Sequence, residues 1–118
     1  MARLTGKTAV ITGSGRRNGL GEAIALKLAR EGANIVISDL GASRDESTPA
    51  EHIGEVDEMK AIAHDIEALG VKCETFSADV RSKQDMKALA ECAHEKLGSL
   101  DIWVNNAGIG YLLSLIHI

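Results

Sequence analysis

Four glycines, Gly13, Gly15, Gly19 and Gly21, lead from a short β-branched run, Lys7–Thr12, into a helical pattern that opens at Leu20. Strand, glycine-rich turn and helix in that order is the build of a cradle for a dinucleotide diphosphate. Phosphate oxygens need main-chain N–H donors at close range, and a helix N-terminus offers them with the favourable end of its dipole. Glycine, lacking Cβ, reaches positive φ and lets the backbone come near both the ligand and the strand behind it. The turn residues expected to meet the ligand are Gly13, Ser14, Gly15, Arg16, Asn18, Gly19 and Leu20. A merely mobile turn is the competing reading, but it leaves the order of elements unexplained.

Asp39 ends the second apolar run, about 20 residues beyond the turn, where a carboxylate accepts hydrogen bonds from the 2′- and 3′-hydroxyls of an adenosine ribose. Its charge repels a 2′-phosphate, so NAD is expected ahead of NADP. Arg16 and Arg17 argue for NADP, because a guanidinium pairs with that same phosphate. The sheet fixes the place of Asp39, however, whereas long loop arginines can turn to solvent. A strand-end turn residue is the plain alternative for Asp39, a loop acid before a helix for Asp79, and a turn-forming cluster for Asn105-Asn106-Ala107-Gly108.

In this order along the chain, these residues resemble those of the short-chain dehydrogenases/reductases. Thr12-Gly13 with Gly19-Leu20-Gly21 is similar to that family's Thr-Gly-x-x-x-Gly-x-Gly turn. It carries two more residues, in the Arg16-Arg17-Asn18 region, so the loop is expected to bulge farther over the phosphates. Asn18 stands where G-x-G-x-x-G would have its third glycine. The resemblance implies that Asp79 meets the adenine amine and Val80 packs on the ring. It implies that the asparagines ending in Asn106 brace the central strands and the cofactor ribose, while Ala107 and Gly108 leave room for the dinucleotide. It further implies an NAD(P)-dependent oxidoreductase that moves a hydride between nicotinamide and a small alcohol or carbonyl substrate, in a homo-oligomeric parent.

The resemblance runs from about Leu4 to Ile109, and the family's Tyr-x-x-x-Lys pair and serine would lie beyond it. Tyr111 is followed four residues on by Leu115, and Ser114 matches no family position, so no catalytic residue is expected in this chain. Readings from other classes are a non-catalytic nucleotide-binding module and an inert truncation. Leu113-Ser-Leu-Ile-His-Ile118 continues no pattern and is what CTG TCT CTT ATA CAC ATC would encode, bases that resemble a transposase adapter. Residues 1–112 are therefore expected to be a partial dinucleotide-binding domain, and 113–118 a non-native tail, with a genuine short C-terminus as the plain alternative.

With 118 residues, 45% of them hydrophobic, one Pro and a net charge of −4, the sequence reads as a soluble globular chain of at most one domain. No lysine/arginine block suggests nucleic acid or an anionic membrane, no segment nears the roughly 20 apolar residues of a membrane span, and a cytoplasmic protein is expected. Cys73 and Cys92 lack CxxC spacing or a histidine cluster, so no metal is expected; His52, His64 and His94 read as surface residues.

Strands are expected at Lys7–Thr12, Asn34–Ser38, Val71–Ser77 and Leu100–Asn105. The first helix shows Leu20, Ile24 and Leu28 along one face and stops at Glu31-Gly32. The second carries Met59, Ile62, Ala63, Ile66 and Leu69 up to Gly70. The third starts at a capping box, Ser82 with Asp85, and lines Met86, Leu89, Ala90, Ala93 and Leu97 toward the core before Gly98. Such alternation implies the first half of a Rossmann-type, doubly wound parallel α/β sheet, truncated at about four strands and three helices. Its expected order is 3-2-1-4, with ligands at the carboxyl ends between the first and fourth strands. The polar stretch 41–54 is expected to be an inserted surface loop.

Overall fold

The computed structural model of the chain describes residues 3–40 and 56–106. Strands β1 (Thr8–Thr12), β2 (Asn34–Asp39), β3 (Cys73–Ser77) and β4 (Ile102–Val104) alternate with helices α1 (Leu20–Arg30), α2 (Val56–Glu67) and α3 (Lys83–Leu97). Every strand pair is parallel, and the order is β3-β2-β1-β4. Val10 stands opposite Val36 on one side and Trp103 on the other. The chain therefore winds outward from β1 to β3 and returns to the far side of β1 as β4. This is the Rossmann-type sheet expected from the sequence, and the reversal lies between β1 and β4.

β1 and β2 are central strands, and apolar side chains alternate between two covered faces. Ala9, Ile11, Ile35 and Ile37 meet Ala25, Ala29, Met59, Ile62 and Ile66 of α1 and α2. Val10 and Val36 point the other way, onto Leu89 and Ala93 of α3. Each buried isoleucine is worth about 1.5–3 kcal/mol relative to exposure, so the face under two helices holds most of the apolar driving force. Residues of β3 and β4 are partly buried, with Ser77 exposed, as befits the outer strands among the described residues.

Two helical faces differ from their expected composition. In α1 the buried positions are Gly21, Glu22, Ala25 and Ala29; Ile24 and Leu28 are half-buried at the flanks, and Leu20 is 56% exposed. The helix rides so close to the sheet that Gly21, Ala25 and Ala29 fit beneath it, and the larger residues are displaced to its sides. In α2 the stripe of Met59, Ile62, Ala63 and Ile66 is buried as expected, but the helix ends at Glu67 and leaves Leu69 exposed. Gly70 follows with φ +95°.

The α3 cap is half of the expected box. Ser82 accepts the Asp85 N–H at 3.1 Å, whereas the Asp85 carboxylate reaches back past Ser82 to the Asp79 N–H at 2.8 Å. Gly98 closes the helix with φ +88°. The expected loop 41–54, with His52, and the tail 113–118 lie outside the described residues, as do Ala107, Gly108, Tyr111 and Ser114. Among the described residues no helix is long and apolar enough to cross a membrane.

Candidate functional site

The glycine turn leaves β1 at the carboxyl rim, where Gly13 takes φ +66°. Two polar side chains then fasten it. Ser14 is fully buried; its hydroxyl donates to the Ile11 carbonyl at 2.6 Å and accepts from the Ser38 N–H at 3.1 Å, while its own N–H donates to the Ser38 carbonyl at 3.0 Å. From the other side, Asn106 donates its amide to the Gly13 carbonyl at 3.0 Å, and its N–H meets the Thr12 hydroxyl at 3.1 Å. That hydroxyl in turn donates to Val104 at 3.3 Å. Ser14 thus joins β1 to β2, and Asn106 joins β1 to β4.

Helix α1 begins with Gly19 as its N-cap, in extended geometry and with no side-chain cap. Glycine has no side-chain oxygen to offer, so the first-turn N–H groups get no side-chain acceptor from the cap position and keep the partial positive charge of a helix start. A Cβ on Gly21 would lie 2.6 Å from the Gly13 oxygen, 2.7 Å from the Ser14 Cα and 2.8 Å from the Asn106 side-chain nitrogen. The absence of that carbon is what lets the helix start lie directly against the turn.

Asp39, at the end of β2 and almost buried, accepts the Gly15 N–H at 3.1 Å and the Leu40 N–H at 2.8 Å. Gly15 is wedged as closely as Gly21: its Cβ would fall 2.5 Å from Met59 Cγ and 2.8 Å from Asp39 Cβ. The sheet therefore brings Asp39 against the glycine turn, as its position at the strand end required.

The two extra loop residues are held by acids the sequence reading passed over. The Arg17 guanidinium pairs with Asp65 at 2.5 Å and Glu22 at 3.0 Å, and the Arg17 N–H donates to Glu58 at 2.6 Å. Asn18, with φ +61°, donates its N–H to the second oxygen of Glu22 at 2.9 Å. The hydrogen bond to Asp65, foremost, raises the already high pKa of Arg17. Arg16 is exposed. Glu58 and Asp65 are seven residues apart, two helical turns, which puts both on one stripe beside the buried face of α2; that spacing was the available signal.

After β3, the Asp79 carboxylate is gripped by Arg81, whose Nε lies 3.0 Å from one oxygen and whose terminal nitrogen lies 2.9 Å from the other. Val80 next to it is 44% exposed. Asp39 closes β2, while the glycine turn, Asp79 and Asn106 follow the carboxyl ends of β1, β3 and β4. Ala107 and Gly108, expected to complete the site, lie outside the described residues.

The remaining chemistry-bearing groups are structural. Burial, reinforced by Glu67 and Glu74, pushes the Cys73 thiol up to about 12, and burial also raises Cys92. Among the described residues no group of histidine, cysteine and acid side chains could hold a metal ion. Asp101 accepts from the Thr8 N–H at 2.9 Å and the Ser99 hydroxyl at 2.8 Å; the backbone bond, then the hydroxyl, holds its carboxyl below the ordinary value. A shallow hollow lined by Lys87, Glu91, His94, Ser99 and Asp101 opens beside it, at the amino end of β4 and away from the glycine turn.

The sequence profile of the short chain dehydrogenases matches residues 7–116. The 7alpha-hydroxysteroid dehydrogenase of Escherichia coli K12 is 43% identical over 108 residues, covering 92% of this chain and 36% of its own length. The (-)-trans-carveol dehydrogenase of Rhodococcus erythropolis is 39% identical over 117 residues, covering 99% and 41%. Among solved structures, a carveol dehydrogenase from Mycobacterium avium in complex with NAD superposes with a TM-score of 0.79 at 32% identity, covering 93% of this chain and 38% of that one. The chain thus spans little more than a third of the length of these relatives. Profile, identity and the glycine turn at the carboxyl rim agree, and the chain belongs to the short-chain dehydrogenase family.

Proposed function

We propose that this chain is the dinucleotide-binding part of an NAD-dependent short-chain oxidoreductase that moves a hydride between nicotinamide and the carbinol carbon of an alcohol, or the matching carbonyl. The observation that carries the reading is the start of α1, free of a side-chain cap and set where the strand order reverses, with Asp39 bonded to the turn beside it. The residues present fit such a group. N–H groups of Leu20 and Gly21 in the first turn of α1 would take the diphosphate, since Ser14, Gly15, Arg17, Asn18 and Gly19 direct theirs to protein oxygens. Gly13, Ser14, Gly15, Arg16, Asn18 and Gly19 would shape the wall of that cradle.

Asp39 would receive the adenosine ribose hydroxyls. Val80 offers apolar surface to the adenine and Asp79 lies alongside, while exposed Leu20 offers a second apolar surface at the helix start. Asn106 would hold the turn open by its bond to Gly13, with Ala107 and Gly108 beyond it. When bound, the nicotinamide supplies the hydride acceptor or donor. NAD is favoured over NADP because Asp39 faces the turn and Arg17 is already paired with Glu22 and Asp65, leaving Arg16 as the loop cation for a 2′-phosphate. The NAD in the Mycobacterium avium relative supports this choice. The proton-transfer pair is not in this chain, which holds no Tyr-x-x-x-Lys. A small alcohol or carbonyl substrate and a cytoplasmic, homo-oligomeric parent accompany the reading.

Titrating the purified protein with NADH and NADPH, followed by nucleotide fluorescence, tests the proposal. NADH is expected to bind the more tightly, and Asp39→Ser to narrow or invert the difference. No binding of either nucleotide overturns it, and an unchanged ratio in Asp39→Ser overturns the role of Asp39.

A further inference from the structure

The loop apex Arg17-Asn18 hangs on three carboxylates from two helices. Asp65 and Glu58 approach from α2, Glu22 from α1, and between them they take two Arg17 side-chain contacts and the N–H groups of Arg17 and Asn18. Without these ties a turn running from Gly13 to Gly19, with two more residues than its family pattern, would sample many conformations, and ordering it would cost each binding event. Glu22 poses a second difficulty. It lies in the first turn of α1 with its side chain only 11% exposed, so its negative charge stands near the helix start that a diphosphate needs. Arg17 offsets that charge at 3.0 Å.

We propose that Arg17 is a positioning residue for the dinucleotide, clasped to α2 by Asp65 and Glu58, and that this clasp sets how long the nucleotide stays bound. The inference rests on the dinucleotide reading above. The clasp pre-orders the loop by tying its extra residues to α2 as well as to Glu22 of α1. Arg17 and Asp65 side chains are 39% and 52% exposed, which places their pairing in the class of surface ion pairs, sensitive to salt and modest in strength. Its effect is therefore read in rates rather than in folding.

Asp65→Asn and Arg17→Met are the variants, since Asp65 sits on α2 and belongs to no part of the proposed nucleotide contacts. Three measurements are made on wild type and variants: NADH dissociation by stopped-flow fluorescence at low and high salt, amide hydrogen exchange of residues 13–22 without nucleotide, and thermal unfolding. Both variants are expected to release NADH about three- to fivefold faster, to exchange the amides of residues 15–19 faster, and to unfold within a degree or two of wild type. High salt is expected to accelerate release from wild type toward the variants' rate. Arg17→Lys, one point charge that cannot span two carboxylates, is expected to fall between.

Unchanged or slower NADH release in Asp65→Asn overturns the clasp, as does faster release with unaltered loop exchange. Slower release would show instead that the carboxylates compete with the nucleotide for the loop. Failure of wild type itself to bind NADH defeats the dinucleotide reading, a result distinct from equal rates in wild type and variants.

Discussion

Gly21→Ala adds one methyl group at the tightest point of the site. The new carbon would lie 2.6 Å from the Gly13 oxygen, and reaching the 3.4 Å of ordinary contact requires α1 to withdraw by about 0.8 Å. The turn cannot yield easily, because Asn106 and Ser14 fix it to β4 and β2. Overpacking of this kind costs about 1–3 kcal/mol. Alanine's advantage over glycine in a helix, about 1 kcal/mol in the interior and less in the first turn, offsets part of that. The net expectation is a loss of about 1–2 kcal/mol, a fall in Tm of about 4–8 °C for a domain of this size. NADH affinity should fall with it, since the first-turn amides are displaced from their place over the rim. Gly19→Ala is the internal comparison: its Cβ would meet only the Arg16 carbonyl closely, at 3.3 Å, so its cost should be a few tenths of a kcal/mol by the same reasoning. Urea unfolding followed by circular dichroism, with NADH titration of each variant, measures both effects. Equal stability of the two variants, or a Gly21→Ala protein as stable and as tight-binding as wild type, would refute the close-approach argument.

Asp101 carries a pH dependence. Its folded pKa is depressed, so its contribution is complete above the unfolded value of about 3.9 and is lost as pH falls through the lower folded value. Acid unfolding of Asp101→Asn should accordingly be flatter than that of wild type below about pH 4, and an identical profile would count against the Thr8 and Ser99 bonds. Cys73, at about 12, should react with a disulfide reagent at about pH 8 far more slowly in the native protein than after unfolding; equal rates would show the thiol to be open. Asn106→Ala removes the side-chain bond to Gly13 and is expected to cost about 1 kcal/mol by urea unfolding and to weaken NADH binding. Stability and affinity both unchanged would leave Asn106 without its bracing role.

Strand order and helix count were legible because β1 and β2 are continuous apolar runs and because Gly32, Gly70 and Gly98 each follow a helix with positive φ. Asp39 was legible for the same reason: a residue at a strand end inherits its place from the sheet. The burial of α1 was not, since hydrophobic periodicity weights Leu20, Ile24 and Leu28 by size. The contact with the sheet is made by Gly21, Ala25 and Ala29, which are chosen for being small. Ser14 was placed at the rim by its neighbours, yet its hydroxyl is spent between β1 and β2, an outcome that depends on a carbonyl and an amide no side-chain pattern encodes. The clasp on Arg17 was equally hidden. It joins residues 17 and 65 across an intervening strand, and only the side-by-side seating of α1 and α2 makes them neighbours.

The amide of Asn106 reaches back across 93 positions of sequence to the Gly13 carbonyl. Ser14 ties the turn to β2 over 24 positions, so the Asn106 bond is the second and more distant of its two fastenings. A nucleotide that favours the stitched form would favour the seating of β4 beside β1 with it. A ligand held at the first turn would then steady the farthest described stretch of chain.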